Sequence, residues 1–325
     1  MKITDIYNRI ALISPYVEVF MRQLYWRNIA LFGPFNPNKA KALKEESNTS
    51  RCTFDDVVTW LKQRGIGDGS LLIVHSGYAE LMKTGLTPEE IIEKLLELVG
   101  PTGTLAMPVI RLFKEAEKAK KAGISPSDVI YKYNPQKTLV ISGLIPYALM
   151  KHEGAIISKF PFNPLCAIGP LAKEMMEHNL DGNTPSPHGP NSSWKFCLDH
   201  GAKICSIGTD IEHHNTITHV AEEAYGNWRW SDNEWYNQYR FIIEDTDGII
   251  EKTVYNRKDE WGKMYVAEQN MLRRIKKSGS MLSTTINGIK VGYVDPQVMI
   301  SMFRSINRNG FPYYLLPWQS VKDIK

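Results

Sequence analysis

The strongest constraint on the fold is an alternation of helical patterns with short apolar strands between residues 53 and 108. Residues 70–75 (SLLIVH) and 103–108 (GTLAMP) carry continuous apolar runs, which are typical of parallel strands buried on both faces. One helical pattern begins at Thr53, before the first strand, and another begins at Thr87, between the two strands. This order predicts an α/β fold, a layered sheet with flanking helices.

Later segments predict strands of both kinds. Residues 202–208 (AKICSIG) predict a third short buried strand. An Asp-Gly pair and an Asn-Gly pair lie inside the β-rich runs 241–254 and 281–296, which predicts antiparallel hairpins in the C-terminal third. Residues 111–132, rich in Lys, Glu and Ala, predict a solvated helix or a lid over the core.

The first fifty residues differ from the rest of the chain. Apolar residues recur at three- and four-residue steps over residues 1–32, which predicts an amphipathic helix, and a polar linker follows over residues 33–53. We expect residues 1–50 to be a helical extension and residues 51–325 to be a single domain. The helix is expected to lie on that domain or to join two subunits in a homodimer, with a membrane-surface helix as the alternative.

Composition excludes several classes of protein. The 325 residues are 43% hydrophobic, enough for a large core without disulfide bonds. A formal net charge of +4 is too small for a dedicated nucleic-acid-binding protein, although it suits ligands that carry phosphates. No apolar stretch reaches the roughly 20 residues of a membrane span, and the N-terminus does not resemble a signal peptide. We therefore expect a cytoplasmic protein.

Metal binding is not predicted. The four cysteines form no CxxC pair and are expected to be free buried thiols. The histidines at positions 213, 214 and 219 lack the HExxH spacing of a metalloprotease.

Six ordered segments resemble the aminoglycoside 3-N-acetyltransferase family, whose members use coenzyme A. The resemblance covers residues 53–320. The segments are LIVHS at 72–76, LTP at 86–88 with VGPTGTLAMP at 99–108, YNP at 133–135 with Thr138 and Gly143, AIGPLA at 167–172, Thr184-Pro185 with Gly189-Pro190 and Trp194, and NTITHVAE at 215–222.

The resemblance implies the fold of that family and a coenzyme A thioester, acetyl-coenzyme A or another acyl-coenzyme A, as co-substrate. The residues predicted to bind its phosphates are His75, Ser76 and Gly77 at a strand end, and Thr102, Gly103 and Thr104 in a turn. The residues predicted to bind the acceptor are Tyr133, Asn215, Arg229 and Trp230. Aromatic faces stack on sugars and Arg matches phosphates, but core packing is the alternative for the Trp residues.

One departure from the family concerns the catalytic residues. The family element HPTHS, which supplies the catalytic histidine, is replaced by residues 160–164 (FPFNP), with Asn163 at the second histidine position. His219 is the first candidate base, because Glu222 shares its helical face and would fix its tautomer. The alternative is a buried histidine bonded to a backbone carbonyl. His188 lies in an apparent insertion and either replaces the missing histidine or is a solvated loop residue.

Asn163 is itself a candidate for binding the acceptor or polarising the thioester carbonyl, with a structural amide as the alternative.

These observations favour a coenzyme A-dependent N-acyltransferase acting on the amino group of an amino sugar. The positive net charge favours an anionic acceptor, such as a nucleotide-linked deoxyamino sugar destined for lipopolysaccharide or another surface polysaccharide. One alternative is an aminoglycoside 3-N-acetyltransferase that confers antibiotic resistance. Another is a non-catalytic homologue that binds coenzyme A or a sugar.

Overall fold

The computed structural model describes residues 53–212, 216–225, 236–258 and 275–306, with Ile10, Val17, Phe20, Met21, Leu24 and Leu272. Its strands are β1 (Leu71–Ser76), β2 (Thr104–Pro108), β3 (Ile130–Tyr133), β4 (Ile156–Ile157), β5 (Leu165–Ile168), β6 (Lys203–Ile207), β7 (Tyr236–Asp245), β8 (Gly248–Arg257), β9 (Met281–Ile286) and β10 (Ile289–Val294). Its α-helices are α1 (Phe54–Lys62), α2 (Tyr78–Leu81), α3 (Pro88–Val99), α4 (Lys114–Ala122), α5 (Leu144–Lys151), α6 (Ala172–Glu177), α7 (Ser193–Asp199), α8 (Val220–Glu223) and α9 (Pro296–Ile306). Short 3-10 turns cover Met82–Thr84, Pro126–Asp128 and Thr216–His219.

A seven-stranded mixed sheet forms the centre, in the order β4-β5-β2-β1-β6-β10-β9. Strand β1 pairs in parallel with β2 and with β6. The other neighbours pair antiparallel, including the hairpin β9–β10, whose second strand lies beside β6. The predicted α/β fold, its buried parallel strands and the antiparallel C-terminal strands are confirmed.

The side chains of β1 alternate between two apolar cores. Leu71 and Ile73 belong to the core under helices α6, α7 and α9, which we call the α7 face of the sheet. Leu72 and Val74 belong to the core under α1, α3 and α5, which we call the α3 face. Because side chains alternate along a strand, His75 at the end of β1 lies on the α7 face.

A smaller sheet has the order β3-β7-β8, with β3 parallel to β7 and β7 antiparallel to β8. Its inner side carries an aromatic core that includes Phe113, Tyr131, Tyr133, Phe160 and Phe241. Strand β3 was not predicted, since it lies in the segment expected to be a helix or a lid. The helix in that segment is restricted to α4, and β3 depends on pairing with a strand more than a hundred residues away.

Local signals at two element ends are confirmed. The Thr87 hydroxyl accepts a hydrogen bond from the Glu90 backbone N–H at 3.2 Å, and the Glu90 carboxylate accepts one from the Thr87 N–H at 2.7 Å, a complete capping box. Asn287 (φ 47°) and Gly288 (φ 82°) are both left-handed, as a tight hairpin turn requires. Thr53 precedes α1 as predicted, but its hydroxyl donates to the Asp56 carboxylate at 2.6 Å instead of capping the helix.

Much of the predicted N-terminal helix lies outside the described residues. Its described members, at positions 10, 17, 20, 21 and 24, are helical, and Phe20 and Leu24 are exposed. The polar linker is outside the described residues up to position 52. In the described parts of the chain, no helix combines the length and the apolar character needed to cross a membrane.

Packing explains the glycine of the turn that joins α3 to β2. A Cβ atom on Gly103 would lie 2.1 Å from the Val99 carbonyl oxygen and 2.9 Å from that of Ser70. The next residue, Thr104, donates its backbone N–H to the same Ser70 carbonyl at 2.9 Å. The turn is therefore held against the start of β1, with no room for a side chain.

Gly103→Ala should consequently destabilise the fold. We expect it to lower the free energy of unfolding by about 1–3 kcal/mol, the usual cost of forcing an extra carbon into a packed site. Gly67→Ala is the matched control, because nothing lies within 4 Å of a Cβ there, and it should change stability by less than about 0.5 kcal/mol. Urea denaturation measures both variants, and equal stabilities would contradict this account of the turn.

Candidate active site

The candidate site begins at the C-terminal end of β1 on the α7 face, where side chains of an open α/β sheet usually meet ligands. The ring of His75 stacks on Trp194 of α7, with centroids 6.1 Å apart and 21° between the planes. Trp194 is fully buried, and its indole N–H donates to the Asn163 carbonyl oxygen at 2.8 Å. Trp194 therefore joins the β1 end to the 160–164 segment.

His188 also lies beside Trp194, at a centroid distance of 6.0 Å. It is fully buried, so the expectation of a solvated loop histidine is wrong. Its backbone N–H donates to Oε2 of Glu223 at 3.1 Å, and its Nδ1 lies 3.3 Å from Oε1 of the same carboxylate. Its Nε2 is buried and has no hydrogen-bond partner in the described parts of the chain.

His219 completes a second histidine–carboxylate pair. It ends the 3-10 turn before α8, and its Nδ1 lies 3.4 Å from Oε2 of Glu222. The side chain of His219 is 16% exposed, whereas that of Glu222 is 3% exposed. The His188 and His219 rings are 5.2 Å apart, so the two pairs face each other. The predicted proximity of His219 and Glu222 is present in the structure.

Arg257, the last residue of β8, links the two pairs. Its Nη1 contacts Oε2 of Glu222, and its Nε lies 3.1 Å from Oε1 of Glu223. Strand β8 also fixes the loop that carries His188, because the Tyr255 backbone N–H donates to the Pro185 carbonyl at 2.9 Å.

Burial and charge set the protonation states of this cluster. Burial lowers the pKa of His188 to about 4, in spite of the neighbouring Glu223. Burial alone would raise the pKa of Glu223, but His188, Arg257 and His219 together lower it to about 2. Burial, followed by the charge of Glu223, raises the pKa of Tyr236 well above its usual value. At neutral pH, His188 is therefore neutral and Glu223 is ionised.

Residues at the end of β1 divide between the two faces of the sheet. Ser76 lies on the α3 face, opposite His75, and its buried Oγ has no hydrogen-bond partner in the described residues. Gly77 is needed for packing, because a Cβ there would lie 2.3 Å from the Gly208 carbonyl oxygen. The strand ends of β1 and β6 thus approach too closely for a side chain.

Residues 102–104, predicted with His75, Ser76 and Gly77 to bind the phosphates of coenzyme A, lie apart from the end of β1. Thr104 is level with Leu71 at the start of β1, so it lies about 16 Å from Ser76 along the strand. Thr104 is buried and its hydroxyl accepts the Leu171 N–H at 3.1 Å, while Thr102 donates to the Asp68 carboxylate at 2.9 Å. Residues 102–104 build a turn at the opposite edge of the sheet and cannot bind the same phosphate as Ser76.

Tyr133 also needs correction as an acceptor-binding residue. It is 1% exposed within the aromatic core, and its hydroxyl donates to the Ser158 carbonyl at 2.7 Å. The backbone of Asn163 is left-handed (φ 47°), and its carbonyl oxygen accepts the hydrogen bond from the Trp194 indole N–H. The predicted residues Asn215, Arg229 and Trp230 lie outside the described residues.

Sequence reasoning missed Glu223 and Arg257. Glu223 directly follows Glu222, which was a candidate, so its position in the sequence was a possible signal. Adjacent residues on a helix lie on different faces, however, so Glu223 was not expected to join the same cluster. Arg257 had no local signal, since it reaches the cluster only through the pairing of β8 with β7.

Neither a metal cluster, nor the cysteines, nor a surface depression provides a second candidate site in the described residues. In the described ranges, no group of three or more His, Cys, Asp or Glu residues is arranged to hold a metal ion. Cys166, Cys197 and Cys205 are free and buried, as predicted. A depression of about 260 Å³ at the opposite edge of the sheet is lined by Leu96, Gly100, Pro101, Gly103, Ile168 and Gly169, none of which can act as acid, base or nucleophile.

Comparison with known proteins gives consistent matches. A family model described as aminoglycoside 3-N-acetyltransferase matches residues 73–302. The structure described as AAC-IIIb binary with CoASH has a TM-score of 0.64 and 17% identity, covering 81% of this chain and 98% of that chain. The structure described as AAC-VIa bound to sisomicin has a TM-score of 0.61 and 20% identity, covering 78% and 96%. These likenesses establish the fold type.

Two curated relatives match part of the chain. Aminoglycoside N(3)-acetyltransferase IX from Micromonospora chalcea is 28% identical over 176 residues, which are 50% of this chain and 58% of the relative. Aminoglycoside N(3)-acetyltransferase VII from Streptomyces paromomycinus is 25% identical over 172 residues, 49% of this chain and 56% of the relative. The chain spans less than two thirds of the length of these relatives.

The buried imidazole of His188 should make stability depend on pH. Its pKa is lowered to about 4 in the folded chain, so the unfolded chain binds the proton more readily below pH 6.5. The contribution is complete above pH 6.5 and is lost as pH falls through 4. We expect this group to reduce the free energy of unfolding by about 3 kcal/mol over that interval, measured by urea denaturation.

The effect of His188 can be separated from that of Glu223 by pH. Glu223 stabilises the fold above pH 4.5, and this stabilisation is lost only as pH falls from 4.5 towards 2. In His188→Gln, the free energy of unfolding should change less steeply with pH between 6.5 and 4.5. Replacement of the exposed His178 by Gln should leave that slope unchanged. An unchanged slope in His188→Gln would contradict the assignment.

Proposed function

Because the chain belongs to the aminoglycoside 3-N-acetyltransferase family, we propose that it transfers an acyl group from the thioester of coenzyme A to an amino group of an amino sugar. The observation that carries the proposal is the pair of histidine–carboxylate contacts at the C-terminal edge of the sheet. Amide formation from a thioester requires a neutral amine and a base for its proton, and an imidazole oriented by a carboxylate meets that need.

The end of β1 fits a thioester co-substrate. Ser76 has a buried hydroxyl that finds no partner in the described residues, and a similar protein is described with CoASH bound. The proposed contacts to the coenzyme are His75, Ser76 and Gly77, without residues 102–104. Coenzyme A supplies the activated acyl group, and this chain supplies its orientation and the proton transfer.

His219 is the proposed base. Its side chain is 16% exposed while that of His188 is 1% exposed, so His219 is the imidazole that an acceptor can reach. His219 takes the proton of the amine as nitrogen attacks the thioester carbon, and returns it to the sulfur as the C–S bond breaks. The Glu222 carboxylate, 3.4 Å from Nδ1 of His219, orients this ring, and the His188 ring lies 5.2 Å away.

The acceptor is first proposed to be an aminoglycoside, because both curated relatives carry that name. A nucleotide-linked deoxyamino sugar is the second candidate, and its support is the net charge of +4. The non-catalytic alternative rested on the loss of the HPTHS histidines. Two oriented imidazoles in the described site weigh against it.

Residues 51–325 are proposed to act as one acyltransferase domain, since the family model spans 73–302. The exposed apolar residues Ile10, Phe20 and Leu24 support a homodimer contact through the N-terminal segment. A reaction that consumes acyl-coenzyme A suits the cytoplasm.

A thiol-release assay with acetyl-coenzyme A tests the function. We expect turnover with aminoglycosides that carry a free 3-amino group, and calorimetric binding of coenzyme A alone. Turnover only with nucleotide-linked amino sugars would overturn the choice of acceptor. Binding of the coenzyme without turnover on any amine would favour the non-catalytic alternative, and absence of binding would defeat the proposal.

His219→Ala should lower turnover by about 10²–10⁴-fold at neutral pH, the usual loss when a general base is removed. Coenzyme affinity should change little, and higher pH should partly restore the rate by supplying neutral amine. His178→Ala, at an exposed site, is the control. If His219→Ala is active and His188→Ala is not, the base is His188. If both variants and their double variant stay active, positioning alone drives the reaction.

A further inference from the structure

Arg257 is the shared cation of two buried carboxylates. Its Nη1 contacts Glu222 and its Nε contacts Glu223, whose side chains are 3% and 0% exposed. The guanidinium side chain is 10% exposed, so solvent screens these contacts weakly. A planar guanidinium can serve two carboxylates at once because its N–H donors form a rigid fork.

We propose that Arg257 is a positioning residue for the acyl transfer, holding Glu222 and Glu223 ionised and in place so that each carboxylate orients its own histidine. The kinetic part of this inference rests on the function proposed above. Its electrostatic part concerns only groups of this chain, and it can be tested without substrate.

Charge balance supports the proposal. The titratable groups that face Arg257 in the described residues are His188 from its loop, His219, Glu222 and Glu223 from the α8 segment, and Tyr236 from β7. With both imidazoles neutral, the two carboxylates and one guanidinium leave a net charge of −1. Without the guanidinium the charge becomes −2 in a buried site, which favours the binding of a proton.

We expect this proton to bind to His188, the histidine next to Glu223. The Nδ1 of His188 donates to Glu223, which leaves Nε2 as the free acceptor of the neutral ring. Burial is the largest cause of the lowered pKa of His188, and the charge of Arg257 lowers it further, so removal of Arg257 should raise that pKa. A protonated His188 would repel a proton on His219, 5.2 Å away, and would also release the tautomer that Glu223 selects.

The backbone of β8 separates this role from a merely structural one. The Tyr255 N–H anchors the His188 loop through the Pro185 carbonyl, and this backbone bond involves no atom of the Arg257 side chain. Arg257→Met keeps the aliphatic stem and removes the charge, whereas Arg257→Lys keeps the charge and loses the fork.

The decisive experiment is an NMR titration of the histidine Cε1–H signals in the full chain without substrate. Arg257→Met should raise the apparent pKa of His188 by about one unit or more, while Arg257→Lys should shift it by less than half as much. The charge-compensated double variant Glu222→Gln with Arg257→Met restores a net charge of −1 and should bring the value back towards that of the wild type. Equal titration of His188 in the wild type and Arg257→Met would overturn the proposal, as would equal shifts in the Met and Lys variants.

Kinetics supply the second readout. In Arg257→Met, kcat/KM should fall by about 10-fold or more, because Glu222 and Glu223 lose their common partner. The acidic limb of the pH profile should move to higher pH, because His188 becomes protonated more readily than in the wild type. A normal kcat/KM and an unmoved limb would overturn the positioning role. If the wild type acylates no amine, the proposed function fails while the NMR result still decides the electrostatic role of Arg257. If Arg257→Met does not fold, Arg257→Lys decides: a normal kcat/KM in that variant would overturn a role for the guanidinium fork.

Discussion

The parallel pairing of β1 with β2 and β6 is the constraint on which the site depends. It brings the carboxyl ends of these strands to one edge, and the strict alternation along β1 sends His75 to the α7 face and Ser76 to the α3 face. A slip of one residue would exchange these two side chains. The Gly77 N–H donates to the Ile207 carbonyl oxygen at 2.9 Å, and this bond keeps the two strand ends together at this edge.

Buried charge is the second organising feature. Removing an ion from water costs several kcal/mol unless partners replace its hydration. Glu222 and Glu223 find such partners in His188 and Arg257, which come from segments distant in sequence, and in the neighbouring His219. Trp194, a member of the apolar core on the α7 face, lies beside His188 at a centroid distance of 6.0 Å.

Local patterns predicted what local physics decides. The capping box at Thr87, the hairpin turn at Asn287 and the buried strand before His75 follow from neighbouring residues, and each is present. The proximity of His219 and Glu222 was predictable for the same reason. Strand β3, the buried state of His188 and the role of Arg257 depend on partners far along the chain, which no local window contains. Family resemblance misled at Tyr133 and Thr104, because a motif can mark packing as well as ligand contact.

The sequence separations within the site carry a consequence for folding. Glu223 follows His188 by 35 residues, and Arg257 follows Glu222 by 35 residues. Contacts between such distant segments slow folding, because the chain loses the entropy of closing a long loop before the contact stabilises it. During synthesis, His188, His219 and both carboxylates leave the ribosome before the arginine that compensates them. The charged centre is therefore completed late, and a chain stopped before residue 257 would hold two acidic side chains that favour water over the core.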